Sequence, residues 1–207
     1  MTKGVTAPGA RLRMREITLV ILLVGVCLNR SLGAGVATQD ESTQASTRSE
    51  YEIKSELIYH FIKFVEWPGH ELVPPSALVV VGVVGDDCMF PVLKLALRDK
   101  TLYGHPIVVR RLDFGAGLKN CGVLFLGSSD RKELVRIVQM VGRSPVLTVG
   151  DNPQFCQWGG IIAFVRIGNR MQFAINPDAA ARAGLQVSSR LLRLALVSRE
   201  TRPRAGN

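Results

Sequence analysis

Three short apolar runs, each ending at a glycine, constrain the fold of this chain more than any other feature. They are ALVVVGVVG at 77–85, GVLFLG at 122–127 and SPVLTVG at 144–150. A strand that is buried on both faces has this unbroken apolar character, and such strands occur in parallel sheets with helices on both sides. Segments with helical spacing of apolar residues separate these runs. The alternation of the two patterns predicts an α/β domain.

The segments between these runs complete the predicted domain. Tyr51–Trp67 places apolar residues at helical spacing, and Pro68 ends this helix because the residue before proline avoids helical angles. Gly168-Asn169 joins two strands as a hairpin. We therefore predict one Rossmann-like α/β domain over 51–198, with a mixed, mostly parallel sheet and helices on both faces. The other predicted helices are 90–97, 128–142 with Asp130 and Glu133 as a capping box, 177–184 and 188–200.

The first 37 residues have the layout of a secretory signal peptide. A basic stretch, RLRMR, leads into ITLVILLVGVCL, which has 12 uncharged residues, and then into small residues up to Ala37. An apolar stretch of this length is too short for a stable bilayer-spanning helix. We predict export to the periplasm with cleavage after Ala37, with cleavage after Ala34 and an uncleaved anchor as alternatives. Residues 38–50 then form a flexible leader and 199–207 a disordered tail.

The chain is basic, but its charge does not indicate nucleic-acid binding. The formal net charge of +9 over 207 residues lies partly in the signal segment and partly in the C-terminal tail. A basic patch interleaved with aromatic residues is typical of nucleic-acid-binding proteins, and the sequence has no such patch. We predict no nucleic-acid partner, and no direct membrane span after the signal segment is removed.

Acidic residues follow the predicted strands where the strands end. Asp86 and Asp87 follow Gly85, and Asp151 follows Gly150. The carboxyl ends of parallel strands form a crest at one edge of the sheet, where ligands commonly bind. Asp86, Asp87 and Asp151 are therefore candidates for a ligand site. Turn formation and helix capping are the more ordinary use of Gly-Asp, and we favour them.

No arrangement of residues in the sequence indicates catalysis, a metal or a cofactor. His60, His70 and His105 have no partner at metal-ligand spacing. There is no G-x-G-x-x-G, no P-loop and no G-x-S-x-G motif. Ser188 and Ser189 stand where a helix N-cap belongs. We therefore predict a protein that is not an enzyme and binds no cofactor.

Three cysteines remain after removal of the signal segment: Cys88, Cys121 and Cys156. An odd number in an oxidising compartment allows one intramolecular disulfide at most. Cys88–Cys121 and Cys121–Cys156 both stay open as pairings, and so does a fully reduced state in which the thiols pack as small apolar groups.

A series of motifs along the chain resembles the YfiR family of periplasmic proteins. The matching segments follow the family's order from about Tyr51 to Val197, which is most of the predicted mature chain. They are YHFIKFVEWP, GVVGDD, YGHPIVVRRL, CGVLFLG, PVLTVGDNPQFCQWGGIIAFV, GNRMQFAIN and AARAGLQVSSRLLRLA.

The resemblance implies a regulator with a protein partner. Family members are exported α/β proteins that can form homodimers. The characterised type binds the periplasmic sensor domain of an inner-membrane diguanylate cyclase and holds the cyclase inactive, which lowers cyclic di-GMP and biofilm formation. A periplasmic small-ligand-binding module is the alternative. The family often has a cysteine, bridged to the position of Cys121, where this chain has Gly82, so the resemblance leaves Cys121 without its usual partner.

The closing helix is the candidate contact surface for that partner. Its apolar residues exceed one narrow stripe, and arginines lie beside them. Apolar anchors flanked by arginine are typical of interface hot spots, so Leu191, Leu192 and Arg193 are the predicted partner-binding residues. The alternative, which we favour, is that the leucines dock this helix onto the sheet.

Overall fold

A computed structural model describes residues 38–69, 78–115, 117–128 and 130–197, with side chains described from Ser49 to Leu196. The fold lies within the compact unit Thr47–Asn207. The predicted signal segment 1–37, the tail 199–207 and His70 lie outside the described residues. Among the described helices, none combines the length and the apolar character that a bilayer-spanning helix needs.

The described elements alternate along the chain as the sequence pattern predicted. They are α1 (Thr38–Phe64), β1 (Val65–Glu66), β2 (Val79–Val84), α2 (Met89–Ala96), β3 (Thr101–Leu102), β4 (His105–Arg111), β5 (Val123–Leu126), α3 (Arg131–Val141), β6 (Leu147–Gly150), β7 (Ile162–Ile167), β8 (Arg170–Ile175), α4 (Pro177–Arg182), β9 (Gln186–Val187), α5 (Ser189–Leu194) and β10 (Leu196–Val197). Two 3₁₀ helices, Leu118–Asn120 and Phe155–Trp158, precede β5 and β7.

The main sheet has the strand order β10-β8-β7-β6-β5-β2-β4-β3. Strands β4, β2, β5, β6 and β7 run parallel to one another, while β8 is antiparallel to β7 and β3 is antiparallel to β4. A separate two-stranded sheet pairs β1 with β9. The predicted mixed, mostly parallel α/β sheet is therefore confirmed. The hairpin at Gly168-Asn169 is confirmed as well, since Ile167 pairs with Arg170 and Gly168 adopts a φ of 58°.

Two apolar cores cover the two faces of this sheet. Alternate residues of β5 point to opposite sides, so Val123 and Phe125 belong to one core and Leu124 and Leu126 to the other. Helices α1 and α2 pack on the first face, and α3 with the Phe155–Trp158 turn packs on the second. This double coverage explains why β2 and β5 are apolar throughout and why β6 has only one polar residue, Thr148.

Helix α1 differs in length from the prediction. It begins at Thr38 and ends at Phe64, and strand β1 follows it directly. The backbone of 38–50, predicted as a flexible leader, is thus helical. The segment contains no glycine or proline, and extending an existing helix costs little once its nucleus is held by tertiary packing.

The closing segment also differs from the single helix predicted over 188–200. Helix α5 ends at Leu194, and β10 then pairs in parallel with β8. Strand β8 would otherwise expose unpaired backbone groups at the edge of the sheet, and β10 satisfies them. Ser188 caps α5 by accepting a hydrogen bond from the Arg190 N–H at 3.3 Å.

The predicted capping box of α3 is half correct. The Asp130 side chain accepts the Lys132 N–H at 2.8 Å and so caps the helix. Glu133 instead accepts a hydrogen bond from the Ser128 hydroxyl at 2.7 Å, and the Asp130 N–H donates to that same hydroxyl oxygen at 3.1 Å. In a capping box the Glu133 carboxylate would accept the Asp130 N–H directly. Here the Ser128 hydroxyl bridges these two groups.

Candidate functional site

The ends of β2, β6 and β7 bring charged side chains together beneath α1. Four of them form a connected set, called the Lys54 cluster: Glu50, Lys54, Asp151 and Arg166. The Lys54 Nζ lies 2.8 Å from each carboxylate oxygen of Asp151 and 2.7 Å from Glu50. Arg166 donates to the other oxygen of Glu50. Lys54 is only 4% exposed, so the cluster places a buried cation between two carboxylates.

The cluster changes the acidity of its carboxylates in opposite directions. Burial raises the pKa of Asp151, helped by the nearby charges of Glu50 and Asp86, and Lys54 offsets this only in part. Burial also acts to raise the pKa of Glu50, but Lys54 and Arg166 together outweigh it and lower that pKa. Both carboxylates bind cations of this chain, Asp151 through Lys54 and Glu50 through Lys54 and Arg166.

The crest aspartates are also engaged within the protein. Asp86 accepts the N–H groups of Cys88 at 3.0 Å and Met89 at 2.9 Å, at the start of α2. Burial, together with the charge of Asp86 and a hydrogen bond to it, raises the pKa of Tyr51 to about 12. Asp87 is 85% exposed and pairs with Arg111 at 3.1 Å. Turn formation and capping thus account for Asp86, and the crest serves to hold α1 on the sheet.

The described residues contain no group of three or more His, Cys, Asp or Glu side chains that could hold a metal ion. The acidic residues of the crest are separated by Lys54 and by the α2 cap. The arrangement therefore stabilises a helix–sheet junction.

The three described cysteines are free thiols in different surroundings. Cys88 is exposed, while Cys121 and Cys156 are buried. Burial raises the pKa of Cys121, and it raises that of Cys156 to about 12, so both buried thiols are poor nucleophiles. A Cβ added at Gly82 would lie 3.2 Å from the Cys121 sulfur. Gly82 thus occupies the position from which a bridging partner would reach Cys121.

The predicted partner-binding residues lie at different depths. Leu191 is 4% exposed and belongs to the core, and Leu192 is half-buried against it. Arg193 is exposed, and its neighbour Leu194 is 76% exposed. Helix α5 therefore docks on the core through one side and presents Leu194 and Arg193 on the other.

A groove runs between α5 and α1 beside these residues. It has a volume of ≈ 210 Å³ and is called the α5 groove. Phe61 forms part of its floor and is fully buried, whereas His60 is exposed at its rim. The lining consists of Leu57, His60, Phe61, Phe64, Phe173, Arg190, Leu191 and Leu194.

The sequence predicted the crest but not its organising residue. Lys54 stands four residues before Ile58 and so lies on the apolar side of α1. A lysine in that position requires a buried carboxylate partner, and this was the available signal. No pattern in the sequence identified Asp151 as that partner, nor Arg166 as a member of the cluster, because both contacts depend on the alignment of distant elements.

Comparison with known proteins identifies a family and a fold. The family model DUF4154, described as YfiR/HmsC-like, matches residues 51–196. A crystal structure of a conserved domain protein from Vibrio cholerae is 14% identical, with a TM-score of 0.50 over 71% of this chain and 59% of that one. The chain therefore spans less than two thirds of that protein's length, and the likeness concerns the fold alone.

A second structure, the ABC domain of a Streptococcus pneumonia protein in complex with L-Trp, is 9% identical. It has a TM-score of 0.40 over 57% of this chain and 56% of that one. This score is too low to indicate a shared fold.

Proposed function

Because the chain belongs to the YfiR/HmsC-like family, we propose that it is a periplasmic regulator of cyclic di-GMP signalling. In this proposal it binds the periplasmic sensor domain of an inner-membrane diguanylate cyclase and represses the enzyme. The observation that carries the proposal is the family match over 51–196, which covers the sheet and the helices that flank it. The layout of residues 1–37, which is that of a signal peptide, supports the periplasmic location.

We place the contact surface at α5 and the α5 groove. Leu194 exposes 76% of its surface, and Leu196, two residues further on, exposes 41%. Exposed apolar side chains beside a groove are typical of protein interaction sites. The helix below them is held by Leu191 in the core, so a partner would meet a fixed surface.

The charge of this surface indicates the character of the partner. Arg190 lines the α5 groove and Arg193 is exposed next to Leu194. Arginine binds carboxylates through two parallel N–H donors, which gives orientation as well as attraction. A sensor domain that fits would present an apolar side chain for the groove and acidic residues around it. A second copy of this chain is the competing occupant.

The alternative function, small-ligand binding at the crest, has less support. Asp86 caps α2 and Asp151 binds Lys54. A ligand that used these carboxylates would have to break contacts that hold α1 on the sheet.

Capture from native membranes tests the proposal. The tagged protein, added to detergent-solubilised membranes of the source cell, should retain a membrane protein that has a periplasmic sensor region and a cytoplasmic cyclase domain. The sensor region should also be retained by the tagged protein when that region is supplied alone. Eluates that contain only the tagged protein would contradict the proposed partner.

A further inference from the structure

A second groove lies beside α3, the helix that packs on the face of the sheet opposite to α1. It runs along α3, and its other side is formed by the turn after the Phe155–Trp158 helix and by α4. Its volume is ≈ 650 Å³, which falls within the range of about 300–1,000 Å³ that is usual for small-molecule sites. We call it the basic groove.

The charged side chains that line the basic groove are all positive. Lys119, Arg131, Arg143 and Arg182 contribute cations, and none of the described residues that line it is an aspartate or glutamate. Among the described residues, Lys119, Arg131 and Arg143 form no ion pair. Like charges gathered at a concave surface repel one another, and a bound anion relieves that repulsion.

Helix dipoles explain only part of this arrangement. Arg143 and Arg182 stand near the C-terminal ends of α3 and α4, where a cation is favourable. Arg131 is the first residue of α3, where the dipole disfavours a cation. Its position is therefore not accounted for by helix stability.

Arg131 is instead held against an aromatic ring in the groove. Its guanidinium carbon lies 5.5 Å from the centroid of the Trp158 ring. Val138 and Ile161, both buried, add an apolar floor beside this pair. Helix α3 is about 16 Å long, so Arg131 and Arg143 place positive charge towards the two ends of the groove, on either side of its apolar floor.

We propose that the basic groove binds a small organic anion with an aromatic or apolar body. The body would lie against Trp158, Val138 and Ile161, and the carboxylate or phosphate would accept hydrogen bonds from the arginines. This site is separate from the α5 groove, and it does not depend on the proposed partner.

The two tryptophans of the chain provide the test. Trp158 lines the basic groove, and Trp67, the other tryptophan, does not. In isotope-labelled protein, purified as the cell processes it, 2-naphthyl phosphate and 2-naphthoate are titrated while both indole N–H resonances are followed. The Trp158 resonance should shift saturably while that of Trp67 stays in place. Neutral 2-naphthol should bind at least about tenfold more weakly, since a charge-assisted hydrogen bond is lost.

A matched pair of variants locates the binding. Arg131→Gln should weaken the binding of 2-naphthyl phosphate by about tenfold or more. Arg136→Gln, the same change on the same helix but outside the groove, should leave it unchanged. Both variants should keep the melting temperature of the wild type. An unmoved Trp158 resonance, equal binding of 2-naphthol, or equal effects of the two variants would overturn the proposal. A preference for phosphate over carboxylate or the reverse would identify the anionic group.

Discussion

The Nζ of Lys54 contacts both carboxylate oxygens of Asp151 at 2.8 Å, across 97 positions of the chain. The contact joins helix α1 to the carboxyl end of strand β6. Lys54 is almost fully buried, so its charge is stable there only because Asp151 and Glu50 surround it. The crest therefore orients α1, and α1 in turn forms one wall of the α5 groove.

Replacing Lys54 with methionine tests this role. The change leaves Asp151 and Glu50 close together without their shared cation, so we expect a loss of about 2–3 kcal/mol in the free energy of unfolding, since both carboxylates retain some contact with solvent. Urea denaturation measures it. Lys63→Met, at an exposed position of the same helix, should cost less than about 0.5 kcal/mol. Equal losses in the two variants would show that Lys54 contributes only ordinary packing.

The same substitution should alter the dependence of stability on pH. The wild type gains stability from Glu50 because its pKa is lowered in the folded state, and that gain is lost as the pH falls through the lowered value. The pKa of Asp151 is raised on folding, and removal of Lys54 raises it further. The deficit of Lys54→Met should therefore shrink as the pH falls and Asp151 takes up a proton.

Phe61 should be a main source of stability for α1. It is fully buried, and its ring centroid lies 4.9 Å from that of Phe173 and 5.9 Å from that of Phe164. We expect Phe61→Ala to cost about 3–5 kcal/mol, as for other fully buried aromatic residues. Phe64→Ala should cost less, because Phe64 is only half-buried beside His60. A thermal melt that ranks the two variants in the opposite order would contradict the packing described for α1.

The sequence predicted the sheet because strands buried on both faces leave a clear signal. Val79–Val84 and Val123–Leu126 are apolar without interruption, Leu147–Gly150 has Thr148 as its one polar residue, and all three are strands. The end of α5 was not predicted, since helical and extended patterns differ little over so few apolar residues. The residues after α5 form β10 because they pair with the edge of β8, and no local sequence pattern reveals that edge.

The candidate sites were predicted less completely for the same reason. Asp86 and Asp151 were identified from their place after apolar runs, yet their partners come from α1 and from the α2 backbone. Similarly, the sequence pattern does not distinguish Leu191 from Leu194. Only the packing of α5 buries Leu191 and leaves Leu194 exposed. The basic groove assembles residues from four separate segments, and none of them is unusual alone.

Restoring a cysteine at position 82 should create a disulfide. The Cβ of Gly82→Cys would stand close to the Cys121 sulfur, while the side-chain ends of Leu112 and Leu124 must move aside. In an oxidising compartment we expect a bridge to Cys121 that stabilises the protein by about 2–4 kcal/mol. Thiol counting on the denatured, unreduced protein should find Cys88 and Cys156 reactive and Cys121 blocked. If the Cys121 thiol of the wild-type protein is also found blocked, the free state of Cys121 is contradicted.

Reversing the charge of Arg193 should weaken capture of the partner. Arg193 is exposed, so Arg193→Glu should change the free energy of unfolding by less than about 0.5 kcal/mol. If α5 is the contact surface, the variant should bind the membrane partner several-fold more weakly in a pull-down, and cyclic di-GMP should rise. Arg98→Glu makes the same change at an exposed position after α2 and should bind like the wild type. Undiminished capture by a folded Arg193→Glu protein would exclude this face of α5.

The most direct test of the regulatory proposal is the cellular concentration of cyclic di-GMP. It is measured in a strain that lacks this protein, in the same strain complemented with the exported wild-type chain, and in a strain that also lacks the captured cyclase. Loss of the protein should raise cyclic di-GMP, complementation should lower it again, and removal of the cyclase should abolish the difference. An unchanged concentration in the strain that lacks the protein, or a rise that persists without the cyclase, would contradict repression of that enzyme by this chain.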